Sequence, residues 1–435
     1  MPTYWQKEIE TLAPEKLEKL QLEGLKYTVT QALKTPFYKK HLAASGLKSA
    51  DDIRSLSDIA NLPFTTKDDL RQNFPDGFLA VDKSETIRLH VSSGTTGMPT
   101  VIYHTRRDID KWTELCARSI TATGAGKSDV FQNMMTYGLF TGGLGLHYGA
   151  EAVGMLTIPA GSGNTRRQIQ LMLDFKTTVV HSTPSYLLHL YDELVKENIP
   201  LSRLSLKKAF IGAEPHSENI RRKLESLLHI DAYNSYGMSE MNGPGVAFEC
   251  VEKSEMHLWE DAYLMEIVDP ESLRVLGEEA EGELCMTTLT RAATPLIRYR
   301  TRDLTRIRGG LCPCGRRHRR IERIKGRSDD MLIINGVNVF PSQIETVLMN
   351  LPEVGNNYLI EIEKQGALDR LIVKTEMSLG FFRDNKPAMD KLKEHIRSEL
   401  KFAILISPAV EIHEPGFLPV SQGKAVRVVD ARKNG

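Results

Sequence analysis

The sequence predicts an α/β protein: a large N-terminal domain, 1–327, of parallel, helix-covered sheets with a β-rich subdomain, then a small α+β domain, 328–435. Three observations carry this expectation. Between residues 168 and 233, helical segments alternate with short apolar ones (TTVVHST, KKAFIGAE, IDAYNSYG), the rhythm of a parallel sheet covered by helices. From residue 256 to 308, strand-forming segments dominate, joined by acidic turns such as DPESLRVLGEEAEGE. Beyond Arg327 and Ser328, where the domain boundary is expected, come NNYLIEIEK, DRLIVKTEM and a helical MDKLKEHIRSELK. At 435 residues the chain is too long for one ordinary core.

In chain order, the segment up to Lys67 reads as helical, with Leu17, Leu20, Leu22, Leu25 and Val29 forming an amphipathic stripe. A strand (IRLHV) then enters SSGTTGMPT at residues 92–100, a second strand (TVIYH) leaves it, and a helix carrying Trp112 and Leu115 follows. A loop of glycines and hydroxyls after a strand suits the wrapping of N–H groups around phosphate oxygens. A Walker-type loop would place a lysine directly after its second glycine; here Met98 follows Gly97. Further on, TYGLFTGGLGLHYG is dense in glycine, which marks backbone packed close to other backbone or to a ligand.

In NSYGMSE, residues 234–240, Tyr236 is placed to stack on a base, Ser239 to meet a phosphate oxygen and Glu240 to hold magnesium, a hard cation that selects oxygen ligands. In LIRYRTRD, Asp303 is a candidate for gripping ribose hydroxyls, while Arg298, Arg300 and Arg302 read as a solvated or ion-paired face. GRSDDMLIINGVNVFP offers Arg327 and Asp329 either as a hinge touching a nucleotide or as an ordinary charged hairpin. Near the C-terminal end, GFLPVSQGKAVRVVD sets Lys424 in a loop of small and turn residues, a candidate source of the missing cation.

Cys250, His257, Cys312 and Cys314 make a candidate tetrahedral zinc set, with His318 as a competing fourth ligand. The basic run Arg316, Arg317, Arg319 and Arg320 reads as a solvated face, and Cys116 and Cys285 as small buried residues. Lys+Arg and Asp+Glu are equal at 56 each, so no global field points to nucleic acid or an anionic membrane. An early-charged start, no membrane-length apolar run and an odd count of five cysteines lead us to expect a cytoplasmic protein without membrane or nucleic-acid partners.

Taken in order, SSGTTGMPT, YGMSE, YRTRD, GRSDDMLIINGVNVFP and the GK pair resemble the adenylate-forming ligases: acyl- and aryl-CoA synthetases, luciferases and peptide-synthetase adenylation domains. Within that superfamily the chain is most similar to the phenylacetate–CoA ligase family. The resemblance implies that a carboxylate attacks the α-phosphate of Mg-ATP and that coenzyme A then displaces AMP. It assigns Ser92, Ser93, Gly94, Thr95, Thr96 and Gly97 to the β- and γ-phosphates. Gly212, Ala213, Glu214 and Tyr236 would line the adenine, with Asn234, Ser235, Gly237 and Met238 completing the nucleotide site. Asp303 and Arg327 would hold the ribose, Ser239 the α-phosphate and Glu240 the magnesium.

Lys424 would reach the reacting carboxylate from a mobile small domain turning about Asp329. An aryl or arylacetic acid would sit by Tyr137, Phe140, Gly143 and Pro244. Some relatives carry a similar Cys/His set, which implies a structural zinc, and the family tends towards homodimers. Two departures are Ser239, where threonine is usual, and Val420, where a basic residue is frequent. Other readings are a ligase with a different acid or acceptor, a nucleotide-binding scaffold, and a nucleic-acid binder built on CPCGRRHRR.

Overall fold

The computed structural model describes residues 3–92, 98–366, 368–378, 381, 386–419 and 426–434. It divides into two compact units: Met1–Gly161 with Thr177–His181 and Tyr233–Ile324, and Ser162–Lys176 with Ser182–Ala232 and Lys325–Gly435.

In the first unit, the helix Pro14–Ala32 begins on a proline, whose missing N–H costs nothing at a helix start. It buries Leu17, Leu25 and Val29 of the expected stripe, leaving Leu20 and Leu22 at its margin. The strands Thr86–Ser92 and Thr100–Thr105 form an antiparallel hairpin that sets Ser92 opposite Thr100 at the two ends of the phosphate-loop motif. Helix Arg106–Ala122 is launched by a capping box: Thr105 Oγ1 accepts from the Asp108 N–H, and the Asp108 carboxylate accepts from the Thr105 N–H at 2.8 Å. Val130–Asn133 pairs in parallel with Leu156–Ile158 and with Val179–Ser182.

The β-rich part runs Tyr263–Val268, Glu281–Thr288, Tyr299–Arg308, Arg320–Ile321, Met256–Leu258, Gly243–Glu249, Asp231–Met238, each pair antiparallel. A core including Leu25, Tyr38, Trp259, Met286 and Tyr299 lies beneath it. The expected α/β class therefore holds, parallel strands and β-rich part included.

Two arginine groups differ in setting from a solvated surface. Arg298 pairs with Glu266 at 2.9 Å and Arg300 with Glu283 at 2.7 Å, with Arg298, Arg300 and Glu283 buried and Glu266 nearly so. In the basic run, Arg316 is only 1% exposed and its Nε donates to Glu10 Oε2 at 2.7 Å. One member of the charge run, Arg316, is thus an internal clamp on the N-terminal segment, because Glu10 supplies the carboxylate that desolvation demands, whereas Arg317 is exposed.

Asp261 is a third buried node. Its carboxylate takes a two-pronged grip from Arg118, at 2.6 and 3.0 Å, and an ion pair from Lys111 at 2.9 Å. Burial pushes its carboxyl upward, but Arg118 and Lys111 outweigh that and hold it well below the usual carboxylate range. A depressed folded-state value gives stability above the ordinary carboxylate pKa that is lost as pH falls. Asp261→Asn leaves the Arg118 charge uncompensated, and we expect it to cost about 3–5 kcal/mol, read as a lowered urea midpoint at pH 7.

The second unit holds helices Thr165–Asp174, Pro184–Lys196, Glu218–Leu228, Pro341–Met349 and Lys386–Ile404, and the strand Lys208–Gly212. Its four-stranded sheet has the order Ala409–His413, Leu368–Met377, Val354–Gln365, Val428–Asp430, with an antiparallel central pair and parallel outer pairs. Ile344, Leu348, Ile360, Val373, Ile396 and Leu400 are buried within it. No helix among the described residues is long and apolar enough to cross a membrane.

Candidate active site

The strand Asp231–Met238 delivers its last residues into a tight 3₁₀ turn, Ser239–Met241. Gly237 is required there, since a Cβ would fall onto the carbonyl of Gly243 in the neighbouring strand. Asn234 is tied by its N–H to Glu249 Oε2 at 2.7 Å, and Ser235 is buried beside it. Tyr236 donates its hydroxyl to Asp303 Oδ2 at 2.6 Å, so the base-stacking and ribose candidates meet in one hydrogen bond. The Tyr236 hydroxyl also lies 3.8 Å from Met238 Sδ. Ser239 Oγ stands 3.2 Å from Thr141 Oγ1.

Glu240 is 3% exposed, and its Oε1 has no hydrogen-bond partner among the described residues. Lys67 Nζ lies 3.4 Å from that oxygen. A buried, under-coordinated carboxylate oxygen suits a hard cation. Arg291 braces the turn from behind, donating to the Glu240 carbonyl at 2.6 Å and to Asn242 Oδ1. Neither Lys67 nor Arg291 was distinguishable in the sequence, because each lies outside any motif and reaches the turn only through folding.

The acid-pocket candidates share this unit. Gly143 is pinned by Asn133 Nδ2, which donates to its carbonyl at 2.5 Å, and a Cβ there would approach the Tyr137 ring to 3.0 Å. Tyr137 meets His147 Nδ1 at 3.1 Å, and burial pushes its phenol up to about 12. Phe140 is largely exposed, and the Pro244 carbonyl accepts from Trp112 Nε1 at 2.8 Å. His104 stacks on Trp112, is fully buried and has no partner for either ring nitrogen among the described residues. Burial holds it neutral, well below the usual histidine range. Ser92 Oγ is 2.5 Å from Thr100 Oγ1, whereas Ser93, Gly94, Thr95, Thr96 and Gly97 lie outside the described residues.

In the second unit, Lys208–Gly212 ends at Ala213, which takes a left-handed φ of 65°. That turn aims Glu214 at the start of helix Pro184–Lys196, where its carboxylate accepts from Ser185 N–H at 2.8 Å and from Ser185 Oγ at 3.0 Å. Arg327 and Asp329 grip each other at 2.9 and 3.0 Å. Lys424 and Val420 lie outside the described residues.

Cys250, His257, Cys312 and Cys314 are all buried, with ligand atoms within 4.8 Å of one another. The Sγ atoms of Cys250 and Cys312 are 3.7 Å apart, and Cys314 Sγ is 3.4 Å from His257 Nε2. Four ligands around a tetrahedral ion with bonds of about 2.0–2.3 Å require edges of about 3.5–3.8 Å, and these two separations are close to that range. His257 Nδ1 lies 3.1 Å from the His318 carbonyl, an orientation that leaves Nε2 for a metal. His318 is not the fourth ligand: its Nδ1 accepts from the Glu260 N–H at 2.8 Å and its Nε2 meets the Ile9 carbonyl at 3.0 Å. Cys116 and Cys285 are buried elsewhere, and all five cysteines are free of disulfides.

Residues 14–290 match the family described as AMP-binding enzyme, and residues 336–432 match the AMP-binding enzyme C-terminal domain. The chain belongs to the AMP-binding enzyme family. Among its relatives, the phenylacetate-coenzyme A ligase of Aromatoleum evansii is 46% identical over 98% of this chain and 96% of its own length. The phenylacetate-coenzyme A ligase of Escherichia coli (strain K12) is 43% identical over 98% of this chain and 97% of its own. A solved structure of 2-hydroxyisobutyryl-CoA ligase in the postadenylation state, in complex with R3-HIB-AMP, aligns with a TM-score of 0.92 at 26% identity, covering 99% of this chain and 93% of that one. These likenesses bear out the adenylate-forming resemblance and the AMP-binding chemistry it implied.

Proposed function

We infer that the chain is an AMP-forming phenylacetate–coenzyme A ligase, converting phenylacetate, ATP and coenzyme A into phenylacetyl-CoA, AMP and diphosphate through an acyl-adenylate. The observation that carries this reading is 43–46% identity to four phenylacetate-coenzyme A ligases across nearly the whole chain. Residues 92–97 hold the β- and γ-phosphates, Ser239 the α-phosphate, and Asp303 with Arg327 the ribose. The Tyr236–Asp303 hydrogen bond supports the ribose role, because it fixes one carboxylate oxygen and orients the other. Gly212, Ala213 and Glu214 line the adenine. Magnesium, when bound, offsets phosphate charge, and Glu240, whose Oε1 makes no hydrogen bond and only the longer ion pair with Lys67, is the ligand this chain supplies.

Phenylacetate lies along Tyr137, Phe140, Gly143 and Pro244, where glycines leave room for a flat ring. Lys424 brings the charge that the phosphate loop lacks, and residues 328–435 then turn about Asp329 to admit the thiol. Cys250, His257, Cys312 and Cys314 hold a structural zinc, a reading supported by the burial of all four and the closeness of their ligand atoms, which lie within 4.8 Å of one another. Five disulfide-free cysteines suit a cytoplasmic setting.

The experiment is pyrophosphate and AMP release from Mg-ATP with a panel of aryl acids, with and without coenzyme A. We expect phenylacetate-dependent pyrophosphate release and AMP turnover that requires coenzyme A. AMP turnover indifferent to coenzyme A would move the reading to another acceptor, and a benzoate preference would move it to another acid.

A further inference from the structure

Within the second unit, one buried carboxylate joins two segments that the proposed function uses separately. Glu345, on helix Pro341–Met349, is 6% exposed. Its Oε1 accepts from the Ser217 N–H at 2.9 Å, and its Oε2 accepts from the Tyr358 hydroxyl at 2.6 Å. Ser217 is the N-cap of helix Glu218–Leu228 and follows Glu214 by three residues, so it anchors the far end of the loop assigned to adenine.

On the other side, Tyr358 belongs to strand Val354–Gln365, and its ring is covered by the Arg427 guanidinium at 4.5 Å. Arg427 also donates to the Tyr358 carbonyl at 3.0 Å and to Asn357 Oδ1 at 2.5 Å. Asn357 in turn donates to the Leu418 carbonyl at 3.2 Å. Leu418 and Arg427, which bracket Lys424 in the sequence, are therefore both bonded to the strand that holds Tyr358.

We propose that Glu345 is a positioning residue for the first half-reaction: its carboxylate ties Arg427 and Leu418, which flank Lys424 in the sequence, through the strand of Tyr358, to the adenine loop, through Ser217. The inference rests on the adenylate-forming reading given above. Glu345 itself touches neither substrate, and it acts by fixing the spacing between the group that binds the nucleotide and the group that answers its charge. Misplacement of such groups costs rate out of proportion to the displacement. The tie has no part in thiolysis, which begins once Lys424 has withdrawn.

The test separates the half-reactions. Adenylation is read as phenylacetate-dependent pyrophosphate release, with KM for ATP; thiolysis is read as coenzyme A attack on chemically prepared phenylacetyl-AMP. Glu345→Ala is expected to lower adenylation kcat/KM about tenfold, the scale of one lost charge-assisted hydrogen bond, and to leave thiolysis unchanged. Glu345→Gln keeps an oxygen for Ser217 and offers an N–H to the Tyr358 oxygen, and it should restore most of the adenylation rate. If Glu345→Ala does not fold, Tyr358→Phe decides, and a fall confined to adenylation is the supporting result. Equal losses in both half-reactions, or no loss in a folded variant, overturn the proposal. Wild-type protein without acid-dependent pyrophosphate release would instead overturn the ligase reading, and this inference with it.

Discussion

Lys424→Ala should slow phenylacetate-dependent pyrophosphate release by about 10²–10³-fold, the usual loss when one charge aimed at a transition state is removed. The same variant should attack preformed phenylacetyl-AMP with coenzyme A at the wild-type rate. The expectation follows from a gap in the phosphate loop: Met98 occupies the place where a Walker-type loop carries its lysine. The negative charge that gathers as the acid meets the α-phosphate then needs a cation from elsewhere.

Folding supplies a rival, Lys67, whose Nζ is 3.4 Å from Glu240. Lys67 sits on the carboxylate assigned to magnesium, so its charge is already engaged, and Lys67→Ala should chiefly alter the magnesium requirement. If instead Lys67→Ala abolishes pyrophosphate release while Lys424→Ala leaves it intact, the catalytic charge belongs to Lys67. Lys424→Arg makes the comparison stricter, because a planar guanidinium keeps the charge without the compact geometry of an ammonium.

What could be read in advance follows from how far apart in sequence the interacting groups are. The helix-and-strand alternation before Tyr233 was legible because each element carries its own periodicity. The nucleotide motifs were legible because a turn such as Tyr236–Glu240 compresses its chemistry into a few positions, and Gly237 marks a close backbone approach. Lys67, Arg291 and Glu345 were not, since each reaches its partner across a long stretch of chain and sits in an unremarkable local context. The burial of Arg316 was missed for the same reason: whether a basic run is solvated or clamped depends on Glu10, more than three hundred residues away.

Metal analysis of protein purified without chelator should find about one zinc per chain, as a closed four-ligand site requires. Cys314→Ser should reduce that content and destabilise the fold by several kcal/mol, since a site assembled only in the folded state returns its binding energy to folding. The consequences are local in a defined way. The Tyr4 hydroxyl donates to the Cys314 carbonyl at 2.8 Å, and Arg316, two residues on, clamps Glu10. Loss of the metal should therefore first expose the N-terminal segment 3–10 to hydrogen exchange. Cys250 follows directly on strand Gly243–Glu249, whose first residue pairs with Met238 beside the Ser239–Glu240 turn. The cluster thus lies at one end of a strand whose other end pairs beside the turn proposed to bind the nucleotide. A variant that keeps its fold at low temperature should lose ATP affinity before it loses secondary structure. Zinc-free wild-type protein with an unchanged melting temperature would show that hydrogen bonding among the buried thiols and His257 is sufficient to hold that end of the strand.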